Sequence, residues 1–127
     1  MKTFLLVDDD EVFNFMNKKV LHRLGFTDVH AVSNGKQAVN FLKESCQGGK
    51  TLPDVIMLDL NMPVMDGFGF LKAFQDLDIP DKNKIKVMVL SSSINTQDMT
   101  MAKKLGAFKY QSKPLREENL AKMLELK

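Results

Sequence analysis

Three short, unbroken apolar runs punctuate the chain: Thr3 to Val7, Asp54 to Leu58 (DVIML) and Lys86 to Leu90 (KVMVL). Each is too short for a helix and is bounded by turn residues, so each reads as a strand buried on both faces, the pattern of a parallel sheet. Two weaker runs, Asp28 to Val32 (DVHAV) and Phe108 to Ser112 (FKYQS), complete a set of five, and Lys109 and Gln111 suit the last one to a sheet edge. Between the runs lie segments of helical period. Val12, Phe13, Met16, Val20 and Leu24 recur at three- and four-residue steps until Gly25; Ala38, Val39, Phe41 and Leu42 form a second segment, stopped near Gly48-Gly49. Phe68, Leu71 and Phe74 mark a third, Met99, Ala102 and Leu105 a fourth before Gly106, and Leu115 to Leu126 a fifth. Strand and helix alternate five times over, which predicts an α/β fold: a parallel sheet with helices on both faces, placed there by right-handed crossovers. The two longest connections, Glu44 to Pro53 and Gln75 to Lys84, read as solvated loops.

The length of 127 residues predicts one domain over 1–127 with one core and no output domain. Hydrophobic residues make up 44% and charged residues 27%, which excludes a disordered chain. No apolar stretch reaches the roughly 20 residues that span a bilayer, and MKTFLLVDDD meets acid too early for a secretory signal, so no membrane insertion and a cytoplasmic location are expected. The lone Cys46 has no companion for a disulfide or a metal. The net charge of +2 is small and its 18 basic residues are dispersed, which predicts no nucleic-acid partner.

In a sheet of this kind ligands bind beyond the carboxyl ends of the strands. There the first strand runs into Asp8, Asp9 and Asp10, the third into Asp59 within LDLNMPVMDG, the fourth into Ser91, Ser92 and Ser93, and the fifth into Lys113-Pro114. Asp8, Asp9 and Asp59 are thus expected to cluster, flanked by a hydroxyl and an ammonium group. Carboxylates so placed raise one another's pKa unless a cation offsets them. An all-oxygen set suits Mg2+, with Lys113 as a permanent second cation, and leaves room for a phosphate oxygen. A phosphoryl group arriving there meets the metal, Lys113 and the Ser91 hydroxyl, each stabilising part of a loose, charged transition state. The nucleophile expected is Asp59: it stands on the central strand and needs no general base.

Taken together, VDD after the first strand, LDLNMPVMDG after the third, VLSSS after the fourth and YQSKP at the fifth closely resemble the receiver domain of bacterial two-component response regulators, of the single-domain chemotaxis-regulator kind, across essentially the whole chain. The resemblance implies a flavodoxin-like, three-layer (βα)5 doubly wound sheet of strand order 2-1-3-4-5. It implies that Asp59 accepts a phosphoryl group from a sensor histidine kinase or a histidine phosphotransfer protein. Asp9 then ligates Mg2+ directly, Asp8 mainly through water, and Asn61 through its backbone carbonyl. Lys113 corresponds to the family lysine, with a cis peptide to Pro114, while Ser91 and Tyr110 correspond to the switch hydroxyl and the aromatic that rotates inward. A downstream protein target is implied at the face of the fourth helix, fifth strand and fifth helix. One departure stands out: Ser91 lacks the methyl of the threonine more usual there, so coupling to Tyr110 is expected to be looser.

Several acids read more simply. Asp10 suits a helix N-cap with Glu11 in the first turn, Asn95 suits the cap of the fourth helix, and Asp66-Gly67 suits a turn. His22 and His30 have no partner at metal-ligand spacing. An aspartyl-phosphate phosphatase of haloacid dehalogenase type also uses an aspartate nucleophile and Mg2+, but needs a second aspartate two residues on, where this chain has Asn61. An FMN carrier needs hydroxyls and amides after the first strand, where this chain has bare carboxylates. A receiver-shaped interaction module that is never phosphorylated is disfavoured by the intact set of Asp8, Asp9, Asp59, Ser91 and Lys113. The sequence therefore predicts a phosphoacceptor switch with at most slow self-dephosphorylation rather than an enzyme.

Overall fold

The computed structural model describes residues 2–62, 64–92, 95–113 and 116–123. Strands β1 (Thr3–Val7), β2 (Asp28–Val32), β3 (Val55–Asp59), β4 (Lys86–Ser91) and β5 (Lys109–Ser112) alternate with helices α1 (Glu11–Arg23), α2 (Gly35–Gln47), α3 (Gly67–Asp76), α4 (Thr96–Lys104) and α5 (Glu117–Met123). The strands form one parallel sheet in the order β2-β1-β3-β4-β5, so the weakly apolar β2 and β5 are its two edges. The three expected interior strands are those nearly or wholly buried along their length.

Strand alternation sorts the core into two layers. Leu5 and Val7, Ile56 and Leu58, and Val87 and Val89 face α2, α3 and α4, meeting Ala38, Leu42, Phe70, Leu71 and Ala102. Phe4 and Leu6, Val55 and Met57, and Met88 and Leu90 face the other way, meeting Val20, Leu21 and Leu120 of α1 and α5. Among the described residues twenty-four apolar side chains are buried, and the larger ones, at about 1.5–3 kcal/mol each when fully buried, supply the main drive for closing both layers.

The helix ends follow the expected chemistry. The Asp10 carboxylate accepts from the Val12 and Phe13 amides at 3.0 and 3.2 Å, and Asn95 accepts from Gln97 at 2.8 Å; Asp66, read as a turn residue, instead caps α3 by accepting from Gly69 at 2.8 Å. Gly25, at φ +93°, turns the chain out of α1 through a conformation that a Cβ would strain.

Three readings need correction. Val12 and Met16 do not face the core of α1: they are 66% and 52% exposed, while Asn14 and Asn17 are buried in the positions expected of apolar residues. Of the loop expected from Glu44, residues through Gln47 extend α2, and the second long loop contains a 3-10 turn at Lys82–Lys84. β3 and β5 begin one residue later than expected. The cis peptide expected between Lys113 and Pro114 lies outside the described residues.

Candidate functional site

Strand polarity brings Asp8, Asp9, Asp59, Ser91 and Lys113 to one end of the sheet, as the carboxyl ends of β1, β3, β4 and β5 converge. Alternation then decides which face each occupies. Asp59 continues the Val55, Met57 series and so lies on the α1 and α5 side, whereas Ser91 continues Val87 and Val89 and lies on the α2 to α4 side.

Asp8 and Asp59 are both buried, and Asp9 is exposed. One carboxylate oxygen from each lies within 4.8 Å of the others. Lys113 Nζ donates to Asp8 Oδ2 at 2.8 Å and stands 3.4 Å from Asp59 Oδ1, so one ammonium bridges two acids contributed by separate strands. Its other side rests on the Phe13 ring, 4.2 Å from the centroid, within the range of a cation–π contact. Asp8 is further held by accepting from the Asp10 amide at 2.9 Å through its other oxygen, and its carbonyl accepts from Asn14 Nδ2 at 2.9 Å. The buried asparagine of α1 thus ties the helix to the site.

Three carboxylates against one ammonium leave the cluster negative. Burial, and then the Asp8 charge, push the Asp59 carboxyl above its ordinary pKa, against the pull of Lys113 and a hydrogen bond from the Asn61 backbone. Burial alone would lower Lys113, but its hydrogen bond to Asp8 and the charges of Asp59 and Asp8 more than reverse this, and its pKa is raised. Lys113 is therefore firmly cationic, and the unbalanced charge resides on the acids.

The loop after Asp59 is held close. Gly67 donates to the Leu60 carbonyl at 3.0 Å, and a Cβ there would lie 2.6 Å from the Asp59 carbonyl and 2.7 Å from Leu60 Cα, so only glycine lets α3 start against the end of β3. The Gly35 amide donates to the Met65 carbonyl at 3.0 Å, fastening the same loop to the start of α2. Val64, within it, adopts φ +69° with its side chain open to solvent, an uncommon state for a β-branched residue.

Ser91 is fully buried at the end of β4, and its carbonyl accepts from the Lys113 amide at 3.0 Å. Tyr110 is half-buried and packs against the α2 to α4 layer, opposite Val89 in the β4–β5 register. Asn61 follows Asp59 by two residues and is exposed. Phe13 and Asn14 carried no chemical signal in the sequence, because an aromatic and an amide in a helical repeat look like ordinary helix residues; only the Asp8 and Lys113 positions in space reveal what they support.

The donor set fits a hard divalent cation: six-coordinate Mg2+ with bonds of about 2.1 Å holds its oxygens up to about 4.2 Å apart, close to the observed spread. The chain matches the response regulator receiver domain family over residues 4–125. It is 31% identical to the chemotaxis protein CheY of Bacillus subtilis, over 91% of this chain and 88% of that protein. It is also 31% identical to the two-component response regulator 24 of Arabidopsis thaliana, over 96% of this chain and 81% of that protein. Among solved structures, a two-component response regulator from Cytophaga hutchinsonii superposes with a TM-score of 0.83 at 32% identity, covering 97% of this chain and 93% of the other. The Mn2+-bound form of response regulator Rcp1 superposes at 0.72 and 29% identity, covering 98% and 90%. With its five-stranded order, its acids and lysine at the strand ends and this match along nearly its whole length, the chain belongs to the response regulator receiver domain family.

Proposed function

We propose that Asp59 is the phosphoacceptor, loaded by a sensor histidine kinase or a histidine phosphotransfer protein in a Mg2+-dependent reaction. The observation that carries this reading is the Lys113 ammonium, held 2.8 Å from Asp8 and 3.4 Å from Asp59 beside three carboxylate oxygens gathered within 4.8 Å. Asp9 and Asp59 would ligate the ion directly, Asp8 mainly through water and Asn61 through its carbonyl. When bound, the ion supplies charge neutralisation for an incoming phosphoryl oxygen. In the transfer, an Asp59 carboxylate oxygen forms the new P–O bond as the phosphorus–nitrogen bond of the donor phosphohistidine breaks, its electron pair staying on the imidazole. Lys113 stays protonated throughout and orients a phosphoryl oxygen, and the Ser91 hydroxyl receives another. Asn61 has no carboxyl with which to move protons, so the acyl phosphate turns over slowly and the protein works as a switch in the cytoplasm rather than as an enzyme.

A protein donor needs a surface beside the acids. Val12, Phe15 and Met16 remain 66%, 59% and 52% exposed on one face of α1, whose first turn adjoins Asp9. This face is where the donor docks in our reading. Activation is read out by Ser91 and Tyr110 and leaves through the face of α4, β5 and α5, where Met101 is exposed, either to a downstream protein or by relay to a phosphotransfer protein. Incubation with Mg2+ and acetyl phosphate is expected to add one phosphoryl group by intact mass, and Asp59→Asn to abolish it. Unchanged labelling of that variant refutes the assignment.

A further inference from the structure

A broad concave surface lies at the opposite end of the sheet from the carboxylates. It is a cleft of about 640 Å³ where the amino ends of β4 and β5 meet the last turns of α3 and α4. Its floor is apolar: Phe74, Ile85, Val87, Ala107 and Phe108. Main-chain anchors fix its walls. Gln75 Nε2 donates to the Leu105 carbonyl at 2.8 Å, joining α3 to the end of α4, and the Phe108 amide donates to the Val87 carbonyl at 2.7 Å. Lys82 Nζ donates to the Gln75 and Leu77 carbonyls at 2.6 and 3.0 Å, which caps the end of α3 and leaves its charge without a counter-ion. The rim is cationic: Lys82 and Lys86, both lining the cleft, place their ammonium groups 5.9 and 4.6 Å from the centroids of the Phe74 and Phe108 rings.

No acid lines this cleft, and among the described residues Lys82 and Lys86 lie within ion-pair distance of no carboxylate. Unpaired ammonium groups around a low-dielectric hollow focus a positive potential into it. The volume falls within the roughly 300–1,000 Å³ of small-molecule sites, and the lining combines an apolar, aromatic floor with a few polar groups of one sign. Inorganic phosphate would leave the apolar floor unused, and a neutral ring would leave the cations unused.

We propose that the cleft is a second ligand site, which takes a small amphipathic anion of the aromatic carboxylate class. The ring lies against Phe74, Val87, Ala107 and Phe108, and the carboxylate sits between Lys82 and Lys86. The site shares β4 and β5 with Ser91 and Lys113 but none of their side chains, so it stands independently of phosphorylation.

The test is an amide 1H–15N titration of the whole chain with indole-3-acetate, set against the neutral indole-3-acetamide. Saturable shifts confined to residues 74–87 and 105–109 are expected, with the amide at least roughly tenfold weaker. Exchanging both rim ammonium groups for isosteric thioethers (K82M with K86M) is expected to weaken the carboxylate by a similar factor while leaving the free spectrum folded; K86M alone serves if the double variant is perturbed. D59N is expected to bind as the wild type does. Absence of saturation up to the probe's solubility, equal binding of acid and amide, or shifts centred on Asp8 and Asp59 would each overturn the site.

Discussion

Lys113 does its work through three neighbours, two of them acids and one a hydrocarbon ring. The Phe13 face fixes the side of the ammonium that Asp8 and Asp59 leave open, and a partly desolvated contact of this kind contributes up to about 2 kcal/mol. Phe13→Leu keeps the packing against the α1 and α5 layer but loses the ring's negative face, so the rate of labelling by acetyl phosphate is expected to fall several-fold. Phe13→Tyr keeps the face and is expected to restore it; equal rates for Leu and Tyr in a mass-resolved time course would mean that the ring only fills space. At this scale the sequence was uneven. Asp8, Asp9, Asp59 and Lys113 could be placed because strand ends are readable from apolar runs, and Asp10 and Asn95 because capping is local chemistry. Phe13 and Asn14 could not, since their partners lie many residues away or in a backbone carbonyl that no pattern marks.

Among the elements, α1 shows most clearly where periodicity misleads. Its apolar residues spread over more than one face, so a repeat of Val12, Phe13 and Met16 does not reveal that two of the three point to solvent. The buried side is finished by Asn14 and Asn17, and the Asn14 amide nitrogen is satisfied by donating to the Asp8 carbonyl. The uncovered side carries a prediction: Phe15→Glu is expected to slow transfer from a protein phosphodonor by about tenfold or more while leaving acetyl phosphate labelling unchanged. Equal losses with both donors would place Phe15 in the fold rather than in docking. The start of α3 carries another. Gly67→Ala pushes a methyl into the Asp59 and Leu60 backbone, so it is expected to destabilise the protein by about 1–3 kcal/mol in urea unfolding and to slow labelling by moving Asp59. A variant as stable as the wild type would show that the loop can yield. The sequence marked Asp66-Gly67 as a turn, but close approach of two backbones is a property of the folded loop.

For the whole molecule, the alternation of five apolar runs with five helical segments was enough to specify a parallel sheet covered on both faces, and the strand order came from the resemblance rather than from any local pattern. What the folded chain adds is an electrostatic debt at one end. The folded pKa of Asp59 is raised above its ordinary 3.8, so the stability it contributes is fully present below that value and is lost as pH rises through the raised value. Metal-free protein is therefore expected to lose stability relative to Asp59→Asn as pH rises through that window. Mg2+ is expected to raise the melting temperature of the wild type well beyond that of the variant. Calorimetry across the acid range with and without Mg2+ checks both; a wild type that is the more stable of the two without metal at neutral pH contradicts the charge imbalance.

The placement of Asp59 and Ser91 on opposite faces of the sheet has a mechanical corollary. A group attached to Asp59 is felt first by the layer of α1 and α5, whereas Tyr110 packs in the layer of α2 to α4. In the proposed reading the Ser91 hydroxyl, at the end of the strand that pairs with Tyr110, takes up a phosphoryl oxygen and so carries the modification across that divide.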